Sequence, residues 1–140
     1  VKNKAPPETA PNPNKLDYSQ VPIIQCAYQL ALDTQRLVAR FPKNLRYQFG
    51  DRLAWMTQDF FEATVKANFI RDAEGRWKAL DALSAEIFTI RMTLRMAKDM
   101  KTISTRQYTE VNTRVEDLHK QLTGWTKWTQ SKIPRPNHAT

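Results

Sequence analysis

An apolar register stepping by four and three residues recurs four times along this chain, with only short breaks between the runs. The first run is Ile23, Ala27, Leu30, Thr34, Leu37 and Phe41, and the second is Phe49, Leu53, Met56, Phe60, Ala63, Ala67 and Ile70. Leu80, Leu83, Ile87, Ile90, Leu94 and Ala97 make the third; Tyr108, Val111, Val115, Leu118, Leu122 and Trp125 make the fourth. A period of about 3.5 residues returns one side chain per turn to the same helical face, which must then be buried against a neighbour. Four such faces in 140 residues predict an all-α fold, an antiparallel up-down-up-down four-helix bundle. The stripes carry no chemistry. Function has to reside in the surface around them.

Punctuation residues divide the chain. Residues 1–20 hold Pro6, Pro7, Pro11 and Pro13 among Lys, Asn and Thr, with too few apolar groups to offset the entropy of ordering, which predicts a flexible arm. The bundle is expected over 21–130 and an irregular basic tail over 131–140. Ser19 is a candidate N-cap for the first helix, and Pro22 suits its first turn, where a missing N–H costs nothing. Pro42 should stop that helix near Arg40. The second helix is predicted over 45–70 and contains Gly50, at a cost of ~1 kcal/mol relative to Ala; a glycine kept there predicts close backbone approach. A third helix is predicted over 74–101. Ser104 and Gln107 form a capping box for the fourth, which should fade near Trp128. Such short connections force neighbouring helices to run antiparallel.

Lys and Arg outnumber Asp and Glu by 22 to 14, and the net charge of +8 predicts attraction to a polyanion or to an acidic protein surface. Solubility alone is the plainer reading of the same charge. Cys26 is the single cysteine, so no internal disulfide and no thiolate metal cluster is expected; it reads as a small hydrophobe within the first helix. No run approaches 18 apolar residues, and no hydrophobic stretch follows the N-terminal lysines. The expectation is a cytoplasmic protein without a membrane span.

Catalytic signatures are missing. The sequence contains no P-loop, GxGxxG, HExxH or GxSxG pattern, and Asp59 and Glu62 read as an ordinary solvated face. Glu116-x-x-His119 matches half of the carboxylate–histidine pattern of di-iron bundles, but the only other histidine is His138 in the tail. No enzyme activity, metal or cofactor is expected.

Arg91, Arg95 and Lys98 share one face of the third helix, with Lys101 and Arg106 close to its end. This stripe lies between the core positions and a second apolar stripe of Phe88, Met92 and Met96. Cations flanked by apolar groups on both sides predict a partner-facing surface, for which guanidinium forks suit phosphate or carboxylate. The competing expectation is that Arg91 and Arg95 pair with acids such as Asp59 or Glu62 on a neighbouring helix. Phe61 and Val65 also exceed one core stripe. With Phe88, Met92 and Met96 they could form a subunit interface, although a wider core face explains them too. After Asp117 the charged residues are all basic, Lys120, Lys127, Lys132 and Arg135, interleaved with Trp125 and Trp128. Cations beside exposed rings suit single-stranded nucleic acid, and Trp128 is the ring expected to be exposed.

Several of these residues, in their order and spacing, resemble a family signature. Phe41-Pro42-Lys43, Arg46-Tyr47 and Phe49-Gly50-Asp51-Arg52-Leu53 look like the junction of the first two helices in the bacterial four-helix-bundle protein family. Its members include proteins encoded in 23S rRNA intervening sequences and the accessory variability determinant (Avd) of diversity-generating retroelements. Ala67-Asn68, the run from Ile90 to Lys101, Ser104-x-x-Gln107-Tyr108 and Gly124-Trp125 are further matches, so the resemblance covers roughly 23–128. His119 and Thr123 stand where members commonly have glycine, and the proline-rich arm has no counterpart. The resemblance implies a basic, ring-shaped homopentamer. In retroelements such a protein binds reverse transcriptase and template RNA, supports mutagenic copying into cDNA, and has no catalytic residues.

Three functional expectations follow. The first is a non-enzymatic accessory protein binding RNA, or DNA, and a reverse transcriptase, with Arg91, Arg95, Lys98 and Lys101 as leading contacts. Lys43, Arg46, Arg52, Arg106, Lys120 and Lys127 complete that set. The second is a scaffold whose basic surface meets an acidic protein. The third is an intervening-sequence product of undefined role.

Overall fold

In the computed structural model, which describes residues 22–135, helix α1 (Pro22–Val38) ends in a turn at Phe41. Pro42 then opens a single helical turn, Lys43–Leu45, which passes into a π-helical segment, Arg46–Gly50. That segment runs directly into α2 (Asp51–Asn68). The second predicted helix is thus compound, with a wider turn at its start. Packing shows what that turn serves: Phe49 stacks on Phe41 with ring centroids 6.2 Å apart. Next to it, a Cβ on Gly50 would come within 2.8 Å of Val38 Cγ1 and 3.0 Å of Phe41 Cδ2. What approaches this glycine closely is a pair of side chains, not the neighbouring backbone that the sequence suggests.

Helix α3 (Ala73–Asp99) begins at Asp72, whose carboxylate accepts a hydrogen bond from the Gly75 N–H at 2.7 Å. It ends in a Schellman motif, with the Thr102 N–H bonded to the Ala97 carbonyl at 2.9 Å. Lys101 occupies the left-handed position of that motif at φ 61°, where glycine is usual. Helix α4 (Thr105–Ser131) starts from the expected capping box: the Gln107 N–H donates to Ser104 Oγ, and the Ser104 N–H to Gln107 Oε1. It runs past Trp128 to Ser131, longer than the sequence suggests, before an irregular stretch to Arg135. The proline-rich arm and the Ser19 cap lie outside the described residues.

Each helix packs on its sequence neighbours, and α4 closes the ring against α1. Tyr28 meets Phe61 across α1/α2, Lys98 meets Tyr108 across α3/α4, and Asp33 pairs with Arg114 across α1/α4. These contacts fix an antiparallel four-helix bundle. The first, third and fourth apolar registers are buried, apart from half-buried Tyr108. In α2 the buried row is instead Leu53, Thr57, Phe60, Thr64 and Ala67, and Met56 and Ala63 are half-buried beside it. The two threonines can be interior because their hydroxyls donate back to the carbonyls of Ala54 and Phe60, at 3.0 and 2.9 Å.

Candidate nucleic-acid interface

Antiparallel packing brings two stretches of chain, 36–52 and 95–110, to the same end of the bundle. The first holds Arg36, Arg40, Lys43, Arg46 and Arg52 against Asp51; the second holds Arg95, Lys98, Lys101 and Arg106 against Asp99 and Glu110. That is nine cations to three carboxylates, and six of the chain's eight net positive charges. Separation in the sequence hid this. Among the described residues the positive charge gathers at this end of the bundle and is not confined to one helix face.

The individual cations differ in how free they are. Arg91 is a correction to the sequence-based expectation: it is half-buried and already engaged within the chain. Its Nε lies 3.3 Å from Glu116 Oε2, and its Nη2 lies 3.4 Å from Oε1 and 2.9 Å from His119 Nδ1. The expected pairing with Asp59 or Glu62 is absent; the acid comes from α4. Arg95 pairs with Asp99 and Arg106 with Glu110, one helical turn apart at 3.5 and 3.4 Å, but all four side chains are exposed. Such pairs are worth little and exchange readily for a better anion. Lys98 lies over the Tyr108 ring, 5.5 Å from its centroid. Arg46 is turned inward, donating to the Phe41 carbonyl at 3.2 Å. Lys43, Arg52 and Lys101 are exposed and, among the described residues, form no ion pair. Lys120 and Lys127 are also exposed, but they lie along α4 toward the opposite end and do not join this group.

Two of the five expected interface residues are used internally. Phe61 packs edge-on against Tyr28, centroids 5.8 Å apart, and both Phe61 and Val65 lie half-buried against the core. Phe88, Met92 and Met96 stand out from α3, and Met100 extends the row by another turn; their exposures run from 44 to 58 %. The i, i+4 spacing makes this one stripe on the outer face of α3.

Trp128, expected to be exposed, is half-buried against the core, with Lys132 Nζ 5.3 Å above its ring. The solvent-facing rings at the basic end are others, Tyr47 and Trp55, each 64 % exposed. Tyr47 lies two residues from Phe49, on the side away from the apolar register, and in the sequence it stood out only as part of the family signature.

The remaining titratable groups read as structural. Burial, together with the Asp117 carboxylate 3.6 Å away, pushes the Cys26 thiol up to about 12, so it is a protonated donor rather than a nucleophile. Burial and the nearby Asp59 raise the Glu86 carboxyl above its ordinary range. Among the described residues no group of three His, Cys, Asp or Glu side chains could hold a metal ion. No described helix is long and apolar enough to cross a membrane. Compared with known proteins, the chain matches no family model and no curated protein.

Proposed function

We propose that this protein is a non-enzymatic, cytoplasmic nucleic-acid-binding accessory protein that uses the basic end of its bundle. One observation carries the reading: six of eight net positive charges collect where 36–52 meets 95–110, with Lys43, Arg52 and Lys101 exposed and unpaired among the described residues. The Avd-like signature spans this same end, from Phe41 to Leu53 and from Ile90 to Tyr108. On that resemblance, the partners are a reverse transcriptase and its template RNA, and self-association is as a pentamer. Arg91 leaves the list of phosphate contacts, and Lys43, Arg52 and Lys101 lead it.

The test is binding to RNA as a function of salt. Each neutralised phosphate contributes a log–log slope of about 0.7 on a single strand or 0.9 on a duplex. A steep fall in affinity with salt, reduced by one contact in each of K43E, R52E and K101E, is the expected outcome. Affinity that does not respond to salt would exclude a phosphate-binding role.

The exposed Phe88, Met92, Met96 and Met100 stripe favours a second role alongside the first, as a surface for a protein partner. Pull-down with and without nuclease separates partners held through RNA from those held directly. A reverse-transcriptase gene beside two variable repeats would support the retroelement assignment.

A further inference from the structure

We propose that the ridge where the π-helical segment enters α2 binds a single nucleic-acid strand, with bases stacked on Tyr47 and Trp55 and phosphates on Lys43 and Arg52. This rests on the reading that the basic end meets nucleic acid, and it names the form of nucleic acid.

Cations and rings alternate along this ridge. Lys43 precedes Tyr47 by four residues, Arg52 follows Tyr47 by five, and Trp55 follows Arg52 by three. Four residues is close to one α turn, and a π turn, closed by an i→i+5 hydrogen bond, is wider and brings position i+5 nearer to i. Three residues on an α-helix are again surface neighbours. The segment's own geometry therefore lines up all four side chains: Arg46–Gly50 is π-helical and Asp51–Asn68 is α-helical. A regular α-helix through 46–50 would leave Arg52, five residues on, about 140° around the helix from Tyr47.

Burial separates these two from the other rings near the basic end. Phe41 and Phe49 stack on one another toward the core, and Tyr108 is covered by Lys98. Tyr47 and Trp55 are each 64 % exposed, outside the core and its packed periphery. Flat rings standing in water between unpaired cations match the chemistry of single-strand recognition, where every base offers a face to stack. A duplex keeps those faces inside its own stack and would gain only from the cations. Asp51, exposed between Tyr47 and Trp55, should repel phosphate locally, and Asp59 and Glu86, which line one cleft with Arg52 and Trp55, bound the phosphate path on the α3 side.

The test uses the full chain, a labelled oligouridylate and an RNA duplex of equal length, read by fluorescence anisotropy. Wild type should bind the single strand more tightly than the duplex. The Y47A/W55A variant should lose at least about tenfold on the single strand, the scale of base–aromatic stacking, and change little on the duplex. K43E/R52E should weaken both, and D51N should strengthen both. Circular dichroism checks that the variants keep wild-type helicity, as expected for exposed side chains outside the core. A duplex bound as tightly as the single strand, or wild-type single-strand affinity in Y47A/W55A, overturns the proposal while leaving nucleic-acid binding intact. Failure of the wild type to bind either probe at low salt removes both readings together.

Discussion

Arg91 and Glu116 face one another across the seam between α3 and α4, Nε to Oε2 at 3.3 Å, with His119 Nδ1 2.9 Å from the same guanidinium. The histidine fills the seam by giving Arg91 a second acceptor. R91E should therefore act on stability rather than on RNA affinity. The expected cost is ~1 kcal/mol, since Glu116 is half exposed. The exchange R91E/E116R should recover part of it. Thermal melts beside binding isotherms separate the two effects; an RNA defect in R91E without a loss of stability would return Arg91 to the binding surface.

Gly50 has no room for a methyl group. A Cβ there would lie 2.8 Å from Val38 Cγ1 and 3.0 Å from Phe41 Cδ2. Alanine gains about 1 kcal/mol in helix propensity but must displace a stiff β-branched side chain and a stacked ring. Overpacking costs of about 1–3 kcal/mol should win, so G50A should be destabilised by roughly 1 kcal/mol. A chemical-denaturation midpoint at or above wild type would refute the tight-packing account.

Lys101 holds a left-handed backbone conformation at φ 61°. For a side-chain-bearing residue that costs about 1–2 kcal/mol relative to the right-handed region. K101G should stabilise the fold by about 1 kcal/mol and at the same time weaken RNA binding. Strain retained at a position that also binds RNA would be the pattern of a functional site. Equal RNA affinity in K101G, measured at matched salt, would leave the strain without a purpose.

Cys26 should be unreactive. Its thiol is pushed up to about 12 by burial and by Asp117. At pH 8 the native protein should resist iodoacetamide, and denaturant should release rapid alkylation. With the folded value raised above the unfolded one of about 8.5, the native state keeps its proton longer. The stability from this site is complete below that lower value and drains away as pH climbs toward about 12. C26S should flatten that alkaline limb.

Helix number, order and direction were legible from the apolar spacing, and α1, α3 and α4 bury the rows that spacing marks. Helix α2 departed because Thr57 and Thr64 do not look like core residues until their hydroxyls are seen bonding to the turn behind. Local signals were reliable where the interaction was local, as at Ser104 and Gln107. Arg91 was misjudged because its partner lies 25 residues away and faces it only through the relative rotation of two helices. Trp128 was misjudged for a similar reason: three residues beyond buried Trp125, it is turned only partly away from the core. The basic end was invisible as a unit because its two halves are separated by most of α2 and α3.

A lopsided charge gives the molecule a permanent electrical orientation. In the field of an RNA the bundle would rotate before touching it, leading with the Lys43–Lys101 pole. Docking would then begin from a narrow range of poses, and the trailing pole would stay free for something else.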